Sequence, residues 1–155
     1  SKPVGAILVA GTVLNLWRLW RWRGFATIAE PLLAILHMGY AWVILGAALL
    51  GASLLTNIVP EAAAIHAFTA GAVGTMVLAV MTRVARGHTG RALEADRVTT
   101  LIYATITVAG LLRIAAAFAV SYAVPLLDLS ALLWVMSFLL FAAIYGPILV
   151  SPRIS

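Results

Sequence analysis

The chain has 155 residues, of which 64% are apolar and only 10% charged, with a mean hydropathy of +1.10. Ordinary soluble domains run at about 45–50% apolar and about 25% charged, and a soluble fold of this size has too little interior to hide so much apolar surface. This excludes a disordered chain, a disulfide-framed secreted domain (there is no Cys) and a standard soluble enzyme. The composition implies an all-α, polytopic transmembrane bundle, because long unbroken apolar runs stand where a membrane β-barrel needs alternating strands of about ten residues.

The net charge is +5, from ten Lys and Arg against five Asp and Glu. A basic chain first suggests nucleic acid. Here the basic residues cluster between apolar spans, which is the signature of membrane topology, so no nucleic-acid partner is expected. Membrane lipid is the expected surrounding.

Five apolar segments predict five spans, over residues 4–16, 31–55, 62–81, 98–124 and 129–150. A spanning helix needs about 17–25 apolar residues, and the last four segments meet that. The first is short and begins close to Ser1. The expectation is a processed or truncated product, corresponding to the last part of a longer membrane protein.

After the first segment, residues 17–30 interleave Trp17, Trp20 and Trp22 with Arg18, Arg21 and Arg23. Trp prefers the headgroup layer and Arg stems snorkel toward it, so this reads as an interfacial turn or short helix. A lipid-headgroup or partner site is the competing reading. Glu30 before Pro31 marks the start of the second helix, with a carboxylate near the positive dipole end.

The loop after the second span, 56–61, has no basic residue. The third span carries Ala63, Ala67, Gly71 and Thr75 at every fourth position, a small-residue stripe that lets another helix approach closely. A basic loop over 82–97 follows, with Arg83, Arg86, Arg91 and Arg97. A turn around Pro125 and Asp128 separates the last two spans, and Arg153 closes the tail. Positive loops alternate with loops that have no basic residue, so the N-terminus is expected outside and the C-terminus inside, with Lys2 as the one exception. The small-residue stripes make a homo-oligomer possible.

Ionisable side chains at membrane depth are costly and are therefore the first place to look for function. They are His37, His66 and Arg113. At 1.5 Å per residue, His37 lies about 9 Å from the inner edge, His66 about 24 Å and Arg113 about 22 Å. A single haem iron held by His37 and His66 is disfavoured by that mismatch, so two separate sites are expected.

The outer candidate pairs His66 with Arg113, since a neutral imidazole can ligate iron and a guanidinium can hold a carboxylate. Glu61 or Asp128 could pair with Arg113 instead. His66 could equally hydrogen-bond Thr69 or Tyr122. The inner candidate is His37 with Met76, Met81 and His88, a donor set that suits copper; core packing is the plainer reading of the two Met residues. Tyr40, one turn from His37, could hydrogen-bond it. Arg86-Gly-His-Thr-Gly-Arg91 is a compact basic loop, either a solvated turn or a lid carrying His88 over the inner site. No hydrolase motif such as HExxH or GxSxG occurs, and no catalytic residue is assigned.

The stretch from His66 to Arg91 contains His-Ala-x-Thr, Gly-x-x-Gly-x-Met, Val-Met-Thr-Arg and Gly-His-Thr-Gly-Arg. Upstream stands His37-Met-Gly-Tyr-Ala-Trp42. Together these elements closely resemble the signature of the NnrS family, over about residues 31–113. The resemblance implies a multi-pass protein of the bacterial cytoplasmic membrane that contains haem and copper and serves the response to nitric oxide and nitrosative stress. It implies roles for His37, His66 and His88, which sit in matching motifs. Nitric oxide is then the expected small ligand. Family members are about twice this long, so the chain would match their C-terminal part. Two other classes remain open at this point: a small transporter or permeation module, and a structural membrane subunit.

Overall fold

The computed structural model of the chain describes residues 1–153. It is all-helical, with five helices long and apolar enough to cross a membrane. Helix α1 is Lys2–Arg21, α2 is Pro31–Leu55, α3 is Glu61–His88, α4 is Arg97–Phe118 and α5 is Ala123–Val150. Short 3-10 turns, Gly24–Thr27 and Val120–Tyr122, sit in the first and last connections.

Consecutive helices run antiparallel, as short connections require. The register is fixed by side chains facing across each pair. Tyr40 of α2 donates its hydroxyl to Asn15 of α1. Thr82 of α3 meets Tyr103 of α4. Ser130 of α5 donates to the Ala109 carbonyl of α4 at 2.8 Å, and Thr105 meets Ser137 at 2.8 Å. Helix α3 is central and the most buried span, while α1 packs on α2 at the edge and is the least buried. The main core joins Leu32 and Ile35 to Leu78, Ile102, Ile106 and Phe141; a second, smaller cluster forms around Trp42, Ala67 and Ala72.

Three helix boundaries and the interior of one helix differ from the sequence expectation. Helix α1 runs on to Arg21 instead of ending at residue 16. Trp17, Arg18, Trp20 and Arg21 are thus its last turns, and only the segment after them leaves the α-helix. Helix α3 runs on to His88, so residues 82–88 of the expected loop are helical. Their core-facing stripe simply continues: Leu78, Thr82, Ala85 and Thr89 are all buried at helical spacing. The break between α4 and α5 falls at 119–122, not around Pro125 and Asp128. Pro125 is the third residue of α5, where the missing N–H has no intrahelical partner to lose, so it begins a helix instead of ending one. Finally, α3 is not uniform: Ala67–Val73 forms a π-helical turn in mid-span, where the Gly74 N–H reaches back to the Thr69 carbonyl.

The wide turn lies where three helices meet. Gly71 of α3 and Gly110 of α4 face each other, and the Trp42 indole of α2 lies over both. A methyl on Gly71 would come within 2.6 Å of Trp42 Cδ2, and one on Gly110 within 3.2 Å of the Gly71 Cα. Only glycine permits that approach. The stripe of Ala63, Ala67, Gly71 and Thr75 is buried throughout, as a helix-facing stripe should be.

Eight of the nine arginines (18, 21, 23, 83, 86, 91, 97 and 153) collect at one end of the bundle, on the last turns of α1 and α3, the first turn of α4 and the segments beside them. At that end Arg86 ties three elements together. Its guanidinium pairs with Asp96 at 2.8 Å and donates to the Tyr145 hydroxyl at 3.2 Å, and Tyr145 in turn meets Thr99 at 2.7 Å. Asp96 caps α4, accepting from the Thr99 N–H at 2.7 Å. Burial works against the Asp96 charge, but the Thr99 hydrogen bond and the Arg86 cation outweigh it and hold its carboxyl below the ordinary range.

Candidate functional site

The ninth arginine, Arg113, stands in the other half of the bundle. It lines a cavity of about 440 Å³ together with His66, Thr69, Ser130 and Trp134. That volume is within the ~300–1,000 Å³ range of small-molecule sites. Three helices build it. His66 and Thr69 come from α3, at and just beyond the entry to the π turn; Arg113 comes from α4; Ser130 and Trp134 come one turn apart from α5. The antiparallel register explains the convergence, because the first third of α3, the last third of α4 and the first third of α5 share one level.

His66 and Arg113 are both half-buried. The alternatives that would have occupied them are absent among the described residues. The only ion pair there is Arg86–Asp96, so neither Glu61 nor Asp128 neutralises Arg113. Thr69 donates its hydroxyl to the Ile65 carbonyl at 2.7 Å, and Tyr122 is an exposed side chain; neither hydrogen-bonds the His66 ring. Ser130 is spent on the Ala109 carbonyl. The cavity therefore offers an imidazole and a guanidinium with no protein partner, flanked by the Trp134 indole. In the interior of the bundle, Trp42 Nε1 and Thr75 Oγ1 are buried without a hydrogen bond. Thr75 lies immediately after the wide turn, where the carbonyl pattern that a helical Thr normally uses is disturbed. π turns of this kind occur often at functional sites.

The inner set is not gathered. His37 lies on the side of α2 that faces α1, lining a groove with Leu16, Leu19, Trp20, Gly24 and Phe25. Its Nδ1 meets the Leu33 carbonyl at 3.1 Å, so that nitrogen carries the proton, and its ring edge rests on Trp22. Tyr40 does not reach it, since its hydroxyl goes to Asn15. Met76 packs its thioether against Gly39, two residues on from His37 and so on the opposite side of α2. Met81 is 40% exposed on the outer face of α3, and His88 is exposed at that helix's end. The segment after His88 does not fold over His37 as a lid. Among the described residues, no group of three or more His, Cys, Asp or Glu is close enough to hold a metal ion. The depth argument could not detect this, because it ranks residues along a helix and says nothing about which face they occupy.

Sequence reasoning also missed the wide turn and the contributions of Ser130 and Trp134. A Ser and a Trp four residues apart in an otherwise apolar span are a detectable signal for the latter. The π turn has no comparable signature, since Gly71 and Gly74 also suit an ordinary close-packed helix.

A family model described as NnrS protein matches residues 2–153. The match extends well beyond residues 31–113, to which the motifs are confined. No curated protein and no solved structure matches the chain.

Proposed function

The chain belongs to the NnrS family, and from that membership we propose that it acts in the nitric oxide response, with a haem seated in the cavity of His66 and Arg113. The observation that carries the reading is that these two side chains line one cavity without any protein partner. Their chemistry suits the group. The His66 imidazole would ligate the iron and the Arg113 guanidinium would hold a propionate carboxylate. The Trp134 indole offers a flat apolar wall, and Ser130 holds α5 against α4 so that the wall stays in place. Bound there, haem supplies an iron centre able to take up a diatomic gas. The protein's own part is to place one imidazole and one cation at a fixed level within hydrocarbon and to keep bulk water away.

The copper donors suggested by the sequence do not fit. His37, Met76, Met81 and His88 occupy separate surfaces, so we derive no step through copper. The five spans make the chain a multi-pass membrane protein. We place it in a bacterial cytoplasmic membrane with the arginine-rich end inside, as the distribution of Arg favours.

Absorbance spectroscopy on the detergent-purified chain, with haem quantified per protein, tests the reading. A Soret band is expected, lost in His66→Ala and weakened in Arg113→Ala. A colourless wild-type preparation that takes up no added haem would overturn it and return the chain to the permeation or structural class.

A further inference from the structure

At the arginine-rich end, a second cavity of about 420 Å³ opens between the last turns of α1, the Gly24–Thr27 turn and the start of α2. Its walls are apolar, with Leu16, Leu19, Trp20, Phe25 and Ile28 among them, and His37 is the one ionisable residue that lines it. A neighbouring recess shares Trp20 and Phe25 with this groove and adds Arg23. The two spaces thus border the same two aromatic side chains, with Arg23 lining the second. Phe25 and Trp20, which border both spaces, are 78% and 72% exposed.

The backbone at Arg23 is unusual. Its φ of 52° and ψ of 40° put it in the left-handed region, and it is the one non-glycine there among the described residues. For a residue with a Cβ this conformation is disfavoured by about 1–2 kcal/mol, and glycine is the usual choice just past a helix end. A glycine does follow, at position 24, one residue too late to relieve the strain. The turn alone would be better served by glycine at 23, so the guanidinium is kept there at a conformational cost. It has no carboxylate partner among the described residues, although Glu30 is close in sequence. The nearby Arg18 is engaged differently, stacked over the Trp22 ring at 4.8 Å.

An unpaired cation in a recess that shares two aromatic walls with an apolar groove calls for a ligand with an anionic head and an apolar tail. We propose that the groove and recess form a site for one anionic phospholipid, with its phosphate on Arg23 and an acyl chain along Leu16, Leu19, Trp20 and Phe25. This site is independent of the His66 cavity, which lies in the other half of the bundle.

Native mass spectrometry of the full chain, released from mild detergent after exposure to phosphatidylglycerol or phosphatidylcholine, tests the proposal. Wild type is expected to retain one phosphatidylglycerol under conditions that strip phosphatidylcholine. Arg23→Gly removes both the strain and the charge. Its thermal midpoint should equal or exceed that of wild type, while phosphatidylglycerol retention falls about fivefold, the effect of one basic residue at an anionic lipid surface. Arg23→Asn, which also tolerates the left-handed conformation, should behave the same way. Ala41→Phe, which fills the groove, should lower retention of the same lipid. Undiminished phosphatidylglycerol retention in Arg23→Gly and Arg23→Asn overturns the headgroup assignment, as does equal retention of phosphatidylcholine by wild type. A wild-type dimer that Ala41→Phe converts to monomer, with lipid retention unchanged, would show that a second copy fills the groove and would overturn the proposal as a whole.

Discussion

His66 and His37 are both half-buried, both on apolar spans, and both in motifs shared with the NnrS family, yet their surroundings differ in kind. His37 has its Nδ1–H satisfied by the Leu33 carbonyl of its own helix and its ring braced by Trp22, inside a groove with no other ionisable wall residue. His66 has no protein partner among the described residues and shares a cavity with a cation. Burying a polar group without a hydrogen bond is costly. A histidine that meets that demand within its own helix is accounted for by the fold, whereas one left unmet beside Arg113 is available to a ligand. Burial alone would have ranked the two as equals.

The sharpest way to break this comparison is to remove each ring in turn. His66→Ala should abolish haem absorbance entirely, while His37→Ala should leave it intact; equal loss in both would erase the distinction. Copper content, measured by elemental analysis, should be the same in His37→Ala and His88→Ala as in wild type, because those residues do not converge.

The next largest effect is expected from the glycines beside each histidine's helix. Gly71→Ala drives a methyl to 2.6 Å from the Trp42 indole, which is buried at 3% exposure and closed in by α3 and α4. Overpacking of this kind costs about 1–3 kcal/mol and should appear as a lowered thermal midpoint together with loss of bound haem. Gly24→Ala brings a methyl to 2.9 Å from His37 Cδ2. That ring sits at the molecule's edge and can shift, so the destabilisation should be under about 1 kcal/mol with haem unaffected.

Ser130→Ala removes the α5-to-α4 hydrogen bond under the outer cavity. A loss of about 0.6 kcal/mol is expected, the usual size for an interhelical hydrogen bond in a membrane, with weaker haem retention as the cavity wall loosens. The smallest effect belongs to a control remote from the outer cavity. The depressed carboxyl of Asp96 contributes stability that is fully present above the ordinary carboxylate range and is lost as pH falls through its lowered value. The side chain is half exposed, so screening keeps the contribution small. Asp96→Asn should flatten the acid limb of the stability curve without altering either cavity.

Much of the architecture was legible because hydrophobic length and charge alternation answer directly to the bilayer. The five spans, their helical character and the common level of His66 and Arg113 all follow from counting residues along an axis. What counting could not supply is rotation. Met76 sits at a suitable depth for a partner of His37 but presents its sulfur to Gly39 on the far side of α2. Charge is not a stop signal for these helices: Arg18, Arg21, Arg83 and Arg86 all lie within them. Pro125 differs for another reason, since its meaning depends on where the first turn begins.

The π turn at Ala67–Val73 has a consequence for how this span tolerates change. Its i→i−5 closure accommodates one residue more than an α-turn would. Deleting a single residue there would restore ordinary winding at little cost to the helix itself. It would leave the bearing of the imidazole on the half of the span carrying Leu78 and Thr82 nearly unchanged, because the wide turn absorbs the roughly 100° that the extra residue would add in an α-helix. The loosest piece of backbone geometry in the bundle thus preserves the compass bearing of His66.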